Sequence, residues 1–165
     1  MSIIITPRLI IQPLELNDSE FILELLNTKG WLQFIGDRNI KTIAETKDYI
    51  QKIVDNPNFT YFVFRLKESQ LPLGIITLVK RDALDYPDFG FSLLPQYGKH
   101  GFAFEAGSAV LQYLETEAKQ EIMLAITLPE NQNSIALLEK LDFIFEKEIE
   151  ENDEKLLLYS KKVKT

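Results

Sequence analysis

No cysteine occurs among the 165 residues. That excludes disulfides, thiolate metal sites and a cysteine nucleophile, so any thiol chemistry has to come from a cofactor. A single histidine, His100, is too little for a zinc site or a serine–histidine hydrolase, and no metal is expected. Basic residues are in the minority, 18 Lys and Arg against 25 Asp and Glu, for a net charge of −7. This balance argues against binding nucleic acid or an anionic membrane surface and suits a cationic partner such as an amine. No apolar run approaches the length of a membrane span, and the first residues lack the basic-then-apolar layout of a secretory leader. Together these predict a cytoplasmic protein. Neither a G-x-x-x-x-G-K-[ST] loop nor a G-x-G-x-x-G after a strand is present.

What is present is a chain that is 45% apolar and 11% aromatic, long enough for one packed domain over residues 1–165. It contains no internal repeat or low-complexity linker. Arg8 to Leu14 reads as a first strand closed by proline. Asn17 with Glu20 forms a capping box before a helix to about Asn27. Thr42 with Glu45 forms another, before a helix whose stripe is Tyr49, Ile50, Ile53 and Val54. The segment Gly30 to Gly36 is short, aromatic and bounded by glycines, with no assignable element.

Residues 60–66 and 73–80 read as strands of a hairpin. Asp88 to Leu93 is a short buried strand that must end before Pro95. Phe102, Ala106, Ala109, Val110 and Tyr113 then mark one face of a helix running to about Ala118. A strand at 122–127, a helix over 133–141 and strands near 143–149 and 155–161, joined by a turn at Glu150 to Glu154, complete the chain. Hairpins mixed with helical crossovers imply a mixed sheet covered by helices.

Between strand and helix lies Gln96-Tyr97-Gly98-Lys99-His100-Gly101-Phe102-Ala103, a basic glycine loop. Such a loop, feeding the electropositive first turn of a helix, suits a phosphate or pyrophosphate. Equally, its glycines can serve backbone freedom alone.

Gln96 to Ala106 resembles the acyl-CoA loop of the GNAT superfamily of N-acetyltransferases, [RQ]-x-x-G-x-[GA] leading into a Y/F-A-x-E-A helix start. Gln96, Gly101, Phe102, Ala103, Glu105 and Ala106 match it in register. Lys99 stands where the family has its first glycine, and Gly98 lies one position early. Asn131 to Phe143 resembles a second GNAT signature, N-x-x-S-x-x-L-x-E-K-x-G-F, with Asp142 in the glycine place; by itself it reads as a capped amphipathic helix. Thr6-Pro7-Arg8-Leu9 is similar to the start of the branch that acetylates ribosomal-protein N-termini.

The resemblance implies the α/β GNAT fold, a mixed, mostly antiparallel twisted sheet with helices on both faces. It also implies transfer of an acetyl group from acetyl-CoA to a primary amine. Leu93, Leu94, Gln96, Gly98, Lys99, His100, Gly101, Phe102, Ala103 and Asn131 would then hold acetyl-CoA. Many members place a tyrosine proton donor where this chain has Leu138, and the resemblance to the ribosomal-protein branch makes Ser134 the candidate for that role. Asp88 is the candidate base or amine-orienting carboxylate, and Trp31 and Phe34 are candidates to shape the acceptor pocket or are ordinary core aromatics. The acceptor stays open among a protein N-terminus, a polyamine, an amino acid and an antibiotic amine, and the assembly between monomer and homodimer. Two other readings compete: an acyl-CoA-binding domain without turnover, and an interaction module that binds no cofactor.

Overall fold

The computed structural model describes residues 3–163, so the first two and last two residues of the domain expected over 1–165 lie outside the described residues. The strands are β1 (Ile4–Ile5), β2 (Leu9–Pro13), β3 (Phe59–Leu66), β4 (Pro72–Val79), β5 (Asp88–Leu93), β6 (Ile122–Thr127), β7 (Ile144–Glu151) and β8 (Glu154–Lys162). They form one sheet in the order β1-β2-β3-β4-β5-β6-β8-β7. Every neighbouring pair is antiparallel except β5 and β6, which are parallel. A parallel pair needs a crossover, and α4 (Phe102–Thr116) supplies it. Helices α1 (Ser19–Leu26), α2 (Lys29–Phe34) and α3 (Ile43–Asp55) join β2 to β3, and α5 (Gln132–Lys140) joins β6 to β7.

Successive side chains of a strand point to opposite faces, and β3 shows the result. Phe62 and Phe64 enter a core with Val110, Leu111 and Leu138 of α4 and α5, while Val63 enters a second core with Ile22, Leu25 and Ile50 of α1 and α3. Helices therefore cover both faces, as expected. Each fully buried Phe on these faces contributes roughly 2–3 kcal/mol of transfer free energy.

Several local readings are corrected. Gly30 to Gly36 is mostly helix: α2 starts from Thr28, whose hydroxyl accepts from the Trp31 amide at 3.2 Å. The cap lies outside the glycine-bounded window, and Gly30 masks the helix because glycine is a poor helix former. Asn17 and Glu20 do not box the start of α1: its N-cap is Asp18, whose carboxylate makes no cap bond to the helix and instead closes a 3-10 turn over Leu16–Asp18, accepting from the Glu15 amide at 2.9 Å and from Arg65 at 2.7 Å. On α3 the Thr42 cap holds, with the Glu45 amide on its hydroxyl at 3.1 Å. Its buried stripe is Thr46, Ile50 and Ile53, and Val54, one residue off that face, is 54% exposed. The buried face of α4 is likewise turned, to Ala106, Gly107, Val110, Leu111 and Leu114. The final turn is only Asn152-Asp153, both left-handed (φ 52° and 62°), with Glu150, Glu151 and Glu154 inside the strands.

Asp142, in the place of the signature's glycine, is left-handed with φ 69°, a conformation Asp tolerates better than most residues other than Gly and Asn. Its amide donates to Glu139 O at 3.0 Å and that of Phe143 to Leu138 O at 2.9 Å, and Leu138 and Phe143 are both buried. These two bonds and the apolar contact form the Schellman termination of α5.

Candidate active site

Strands β5 and β6 are paired at one position only, Asp88 with Leu124, and then part. Leu94 donates to Leu73 O at 2.9 Å, so by antiparallel alternation Ser92, Gly90 and Asp88 also turn their backbone groups to β4. Phe91 and Leu93 consequently turn their N–H and C=O groups toward the gap. The split leaves unpaired strand edge where an extended ligand can add its own hydrogen bonds.

Beyond Leu94, a 3-10 turn over Pro95–Tyr97 leads into the loop. Gly98 has ordinary extended geometry (φ −68°, ψ 158°), and its amide is spent on Pro95 O. Lys99 is left-handed at φ 65°, as is Gly101 at φ 79°. The position where the family has a glycine is therefore one that favours glycine, and the lysine adopts that shape. From Lys99 through Phe104, six consecutive amides donate to no acceptor among the described residues; the first helical bond is Glu105 N to Gly101 O, 3.0 Å. A run of unbonded amides opening a 15-residue helix is a concentrated partial positive charge.

A clamp from the start of the chain holds this loop. Glu105 accepts from the Thr6 hydroxyl (2.5 Å), the Arg8 amide (3.0 Å) and Arg8 Nε (2.7 Å). Arg8 Nη1 also donates to His100 O at 3.0 Å, and its guanidinium lies 4.3 Å from the Phe102 ring centre. These bonds hold the Glu105 carboxyl below its usual range, against the opposing effect of desolvation.

The mouth of the β5–β6 split opens into a cleft of about 470 Å³ lined by Trp31, Phe34, Asp88, Asn131 and Ser134, among others. The structure thus brings together both aromatics and three of the polar candidates. Asp88 is 8% exposed. Burial pushes its carboxyl up to about 6, opposed by Arg81, whose Nε donates to it at 3.0 Å, and by the Ile126 amide. Asn131 caps α5 through Oδ1, which accepts from the Ser134 amide at 3.2 Å. The Ser134 hydroxyl has no partner among the described residues, and Leu138, in the place of the usual tyrosine, is 1% exposed.

Not every candidate is equally placed. Leu94 is buried, with its amide on Leu73 and its carbonyl accepting from Tyr97 at 3.0 Å, so neither backbone group is free for a ligand. Gln96 reaches Glu24 of α1 at 3.5 Å, and His100 and Lys99 are exposed on the loop. Arg38, Tyr61 and Arg81 also line the cleft and were not singled out. Arg81 sits in a polar connection and Tyr61 in a strand, where periodicity marks them only as loop and sheet. The Arg8–Glu105 clamp spans 97 residues, beyond any local pattern.

Residues 8–144 match the sequence profile of the acetyltransferase (GNAT) domain. A curated protein of Bacillus subtilis (strain 168), named as the uncharacterized N-acetyltransferase YnaD, is 25% identical over 138 residues, covering 84% of this chain and 80% of that one. Among solved structures, an acetyltransferase (GNAT family) from Bacillus anthracis superposes with a TM-score of 0.83 at 24% identity, covering 98% and 99% of the two chains. RimL, a ribosomal L7/L12 alpha-N-protein acetyltransferase in complex with coenzyme A, superposes with a TM-score of 0.84 at 14% identity, with 98% of each chain covered.

Proposed function

The chain belongs to the GNAT family of acetyltransferases and is an acyl-CoA-dependent enzyme, and on that premise we propose that it transfers acetyl from acetyl-CoA directly to a primary amine, of a protein N-terminus or a small molecule, in the cleft beside Asp88. The observation that carries this reading is the run of unbonded amides from Lys99 to Phe104 beside the open edge of β5. An anionic group fits the amides, and an extended arm fits the free backbone groups of Phe91 and Leu93, so the residues present suit acetyl-CoA. When bound, acetyl-CoA supplies the thioester carbonyl and the thiol leaving group.

The chain's own residues supply the rest. The loop amides bind phosphate oxygens, and Lys99 adds a cation at the same point. Arg8 and Glu105 keep those amides aimed outward by fixing the first turn of α4. Asp88, with its pKa near 6, is mostly ionised at neutral pH and accepts a hydrogen bond from the incoming amine; Arg81 holds the carboxylate in place. The amine nitrogen loses one proton on becoming an amide and the departing sulfur takes one up; the free Ser134 hydroxyl, brought into the cleft by the Asn131 cap, would hand its proton to the sulfur, directly or through a water, and recover the one the nitrogen releases.

A screen of primary amines, read by thiol release from acetyl-CoA, tests the reaction. With an identified acceptor, Ser134→Ala should lower kcat by about 100-fold, the scale of a lost proton donor. Unchanged turnover would remove Ser134 from that role.

A further inference from the structure

The cleft has a donor-rich wall that acetyl transfer to a simple amine does not call for. Past Tyr61 it continues into a second depression of about 400 Å³, and Arg38, Tyr61, Val79 and Arg81 line both. Lys80 and Asp82 add one charge of each sign. Three cations against one carboxylate thus line this depression in a chain of net charge −7.

The cations are not equivalent. Arg81 is committed to Asp88 at 3.0 Å and approaches Glu151 at 4.0 Å. Arg38 has no carboxylate within 4.0 Å among the described residues. It stands beside the phenols of Tyr49 and Tyr61, whose pKa values burial raises, so both remain neutral hydroxyls that can donate. The acidic lining residues are Asp88, Glu151 and Glu154, and the first two gather around Arg81. The cleft is bipolar: carboxylates around Arg81, and an Arg38 guanidinium with no carboxylate partner among the described residues, in contact with the Tyr49 phenol and near that of Tyr61.

Resting on the acetyltransferase reading above, we propose that the acceptor amine also carries a carboxylate, which docks on the Arg38 guanidinium and the Tyr61 hydroxyl while its amino group faces Asp88. A planar guanidinium matches a carboxylate with two parallel hydrogen bonds, and a neutral phenol adds a third donor. The same wall disfavours a polyamine, whose second ammonium would meet Arg38 and Lys80. Trp31 and Phe34 enclose the apolar part of the acceptor between the two ends.

The test compares amino acids and dipeptides, each paired with its decarboxylated or amidated counterpart, with spermidine as a dication, by thiol release from acetyl-CoA. The expected result is a carboxylated acceptor at least about tenfold better in kcat/KM than its partner. Arg38→Gln should erase that ratio by raising the acceptor KM about tenfold, with the KM for acetyl-CoA as the internal control; because Arg38 is exposed, the substitution does not threaten folding. Preference for spermidine or the decarboxylated amines, or an unchanged ratio in Arg38→Gln, overturns the inference and leaves the acetyltransferase reading standing. Binding of acetyl-CoA with no turnover on any amine would overturn both.

Discussion

The loop that opens α4 follows the open end of β5, and the wall formed by α2 and residues 35–41 lines the cleft beside that strand; the two are held in different ways. The loop is fixed by backbone conformation, two left-handed residues and six unbonded amides, and by one clamp from Thr6 and Arg8 onto Glu105. The wall is fixed by side chains. Asn27 donates to the carbonyls of Leu23 and Ile40 at 2.9 and 3.0 Å and accepts from Lys41 at 2.6 Å, while Arg38 has no carboxylate partner among the described residues. A site for one invariant molecule can be built from backbone, which every residue carries. A site that distinguishes one amine from another must use side chains, and those change without disturbing the sheet.

That contrast can be attacked from its strongest point downward. Gly101→Asp places a side chain at φ 79° and a negative charge among the free amides. Its expected effect is a loss of acetyl-CoA affinity on the order of 1000-fold, about 4 kcal/mol by calorimetry. An equally large loss on changing Trp31 to Phe would erase the distinction between the two sides.

Asp88 separates the cleft from the loop by pH. Its folded pKa, about 6, lies above the unfolded value of 3.8, so its contribution to stability is complete below pH 3.8 and is lost as pH rises through 6. Between pH 4 and pH 7 the wild-type protein should lose about 2 kcal/mol relative to Asp88→Asn in urea unfolding. Parallel pH profiles would show that burial does not govern this carboxylate.

Arg8→Ala removes the guanidinium part of the clamp, its bonds to Glu105 and His100 O, and leaves the Thr6 hydroxyl and the residue-8 amide on Glu105. Acetyl-CoA binding should weaken about tenfold in Kd while kcat at saturation changes less than about twofold, since a positioning residue acts through the loop. The smallest effect is expected for Lys99→Gly. The relief of a left-handed residue, roughly 1 kcal/mol, is offset by glycine's larger backbone entropy, so stability should move by no more than about 0.5 kcal/mol and Kd by less than about threefold. A large gain in affinity would mean that the lysine distorts the loop.

The same division explains what could be read from residue order. Asp88 to Leu93, the helix after Gly101 and the left-handed Asp142 were legible because period, proline and glycine-type geometry act within a few residues. Helix α2 was not, because its cap at Thr28 lies before the apparent boundary and Gly30 interrupts the pattern. The role of Asp18 was hidden because its carboxylate closes the 3-10 turn before α1 and is held by Arg65, 47 residues away. In the cleft, Asp88 and Ser134 stand on elements whose type is locally encoded; the pairing of Arg81 with Asp88 spans only seven residues but follows no period, and the surroundings of Arg38 arise only when the 35–41 segment meets β3 and β4.

The central claim is that the unbonded amides and the open β5 edge hold acetyl-CoA through its phosphates as well as its arm. It is tested most directly by the thermal unfolding midpoint during titration with acetyl-CoA and, separately, with pantetheine, which has the arm but no phosphate. At about 100 times Kd, acetyl-CoA should add about 2.7 kcal/mol and raise Tm by roughly 5–10 °C for a chain of this size, with little change from pantetheine. No saturable shift with acetyl-CoA, or an equal shift with pantetheine, would contradict the account.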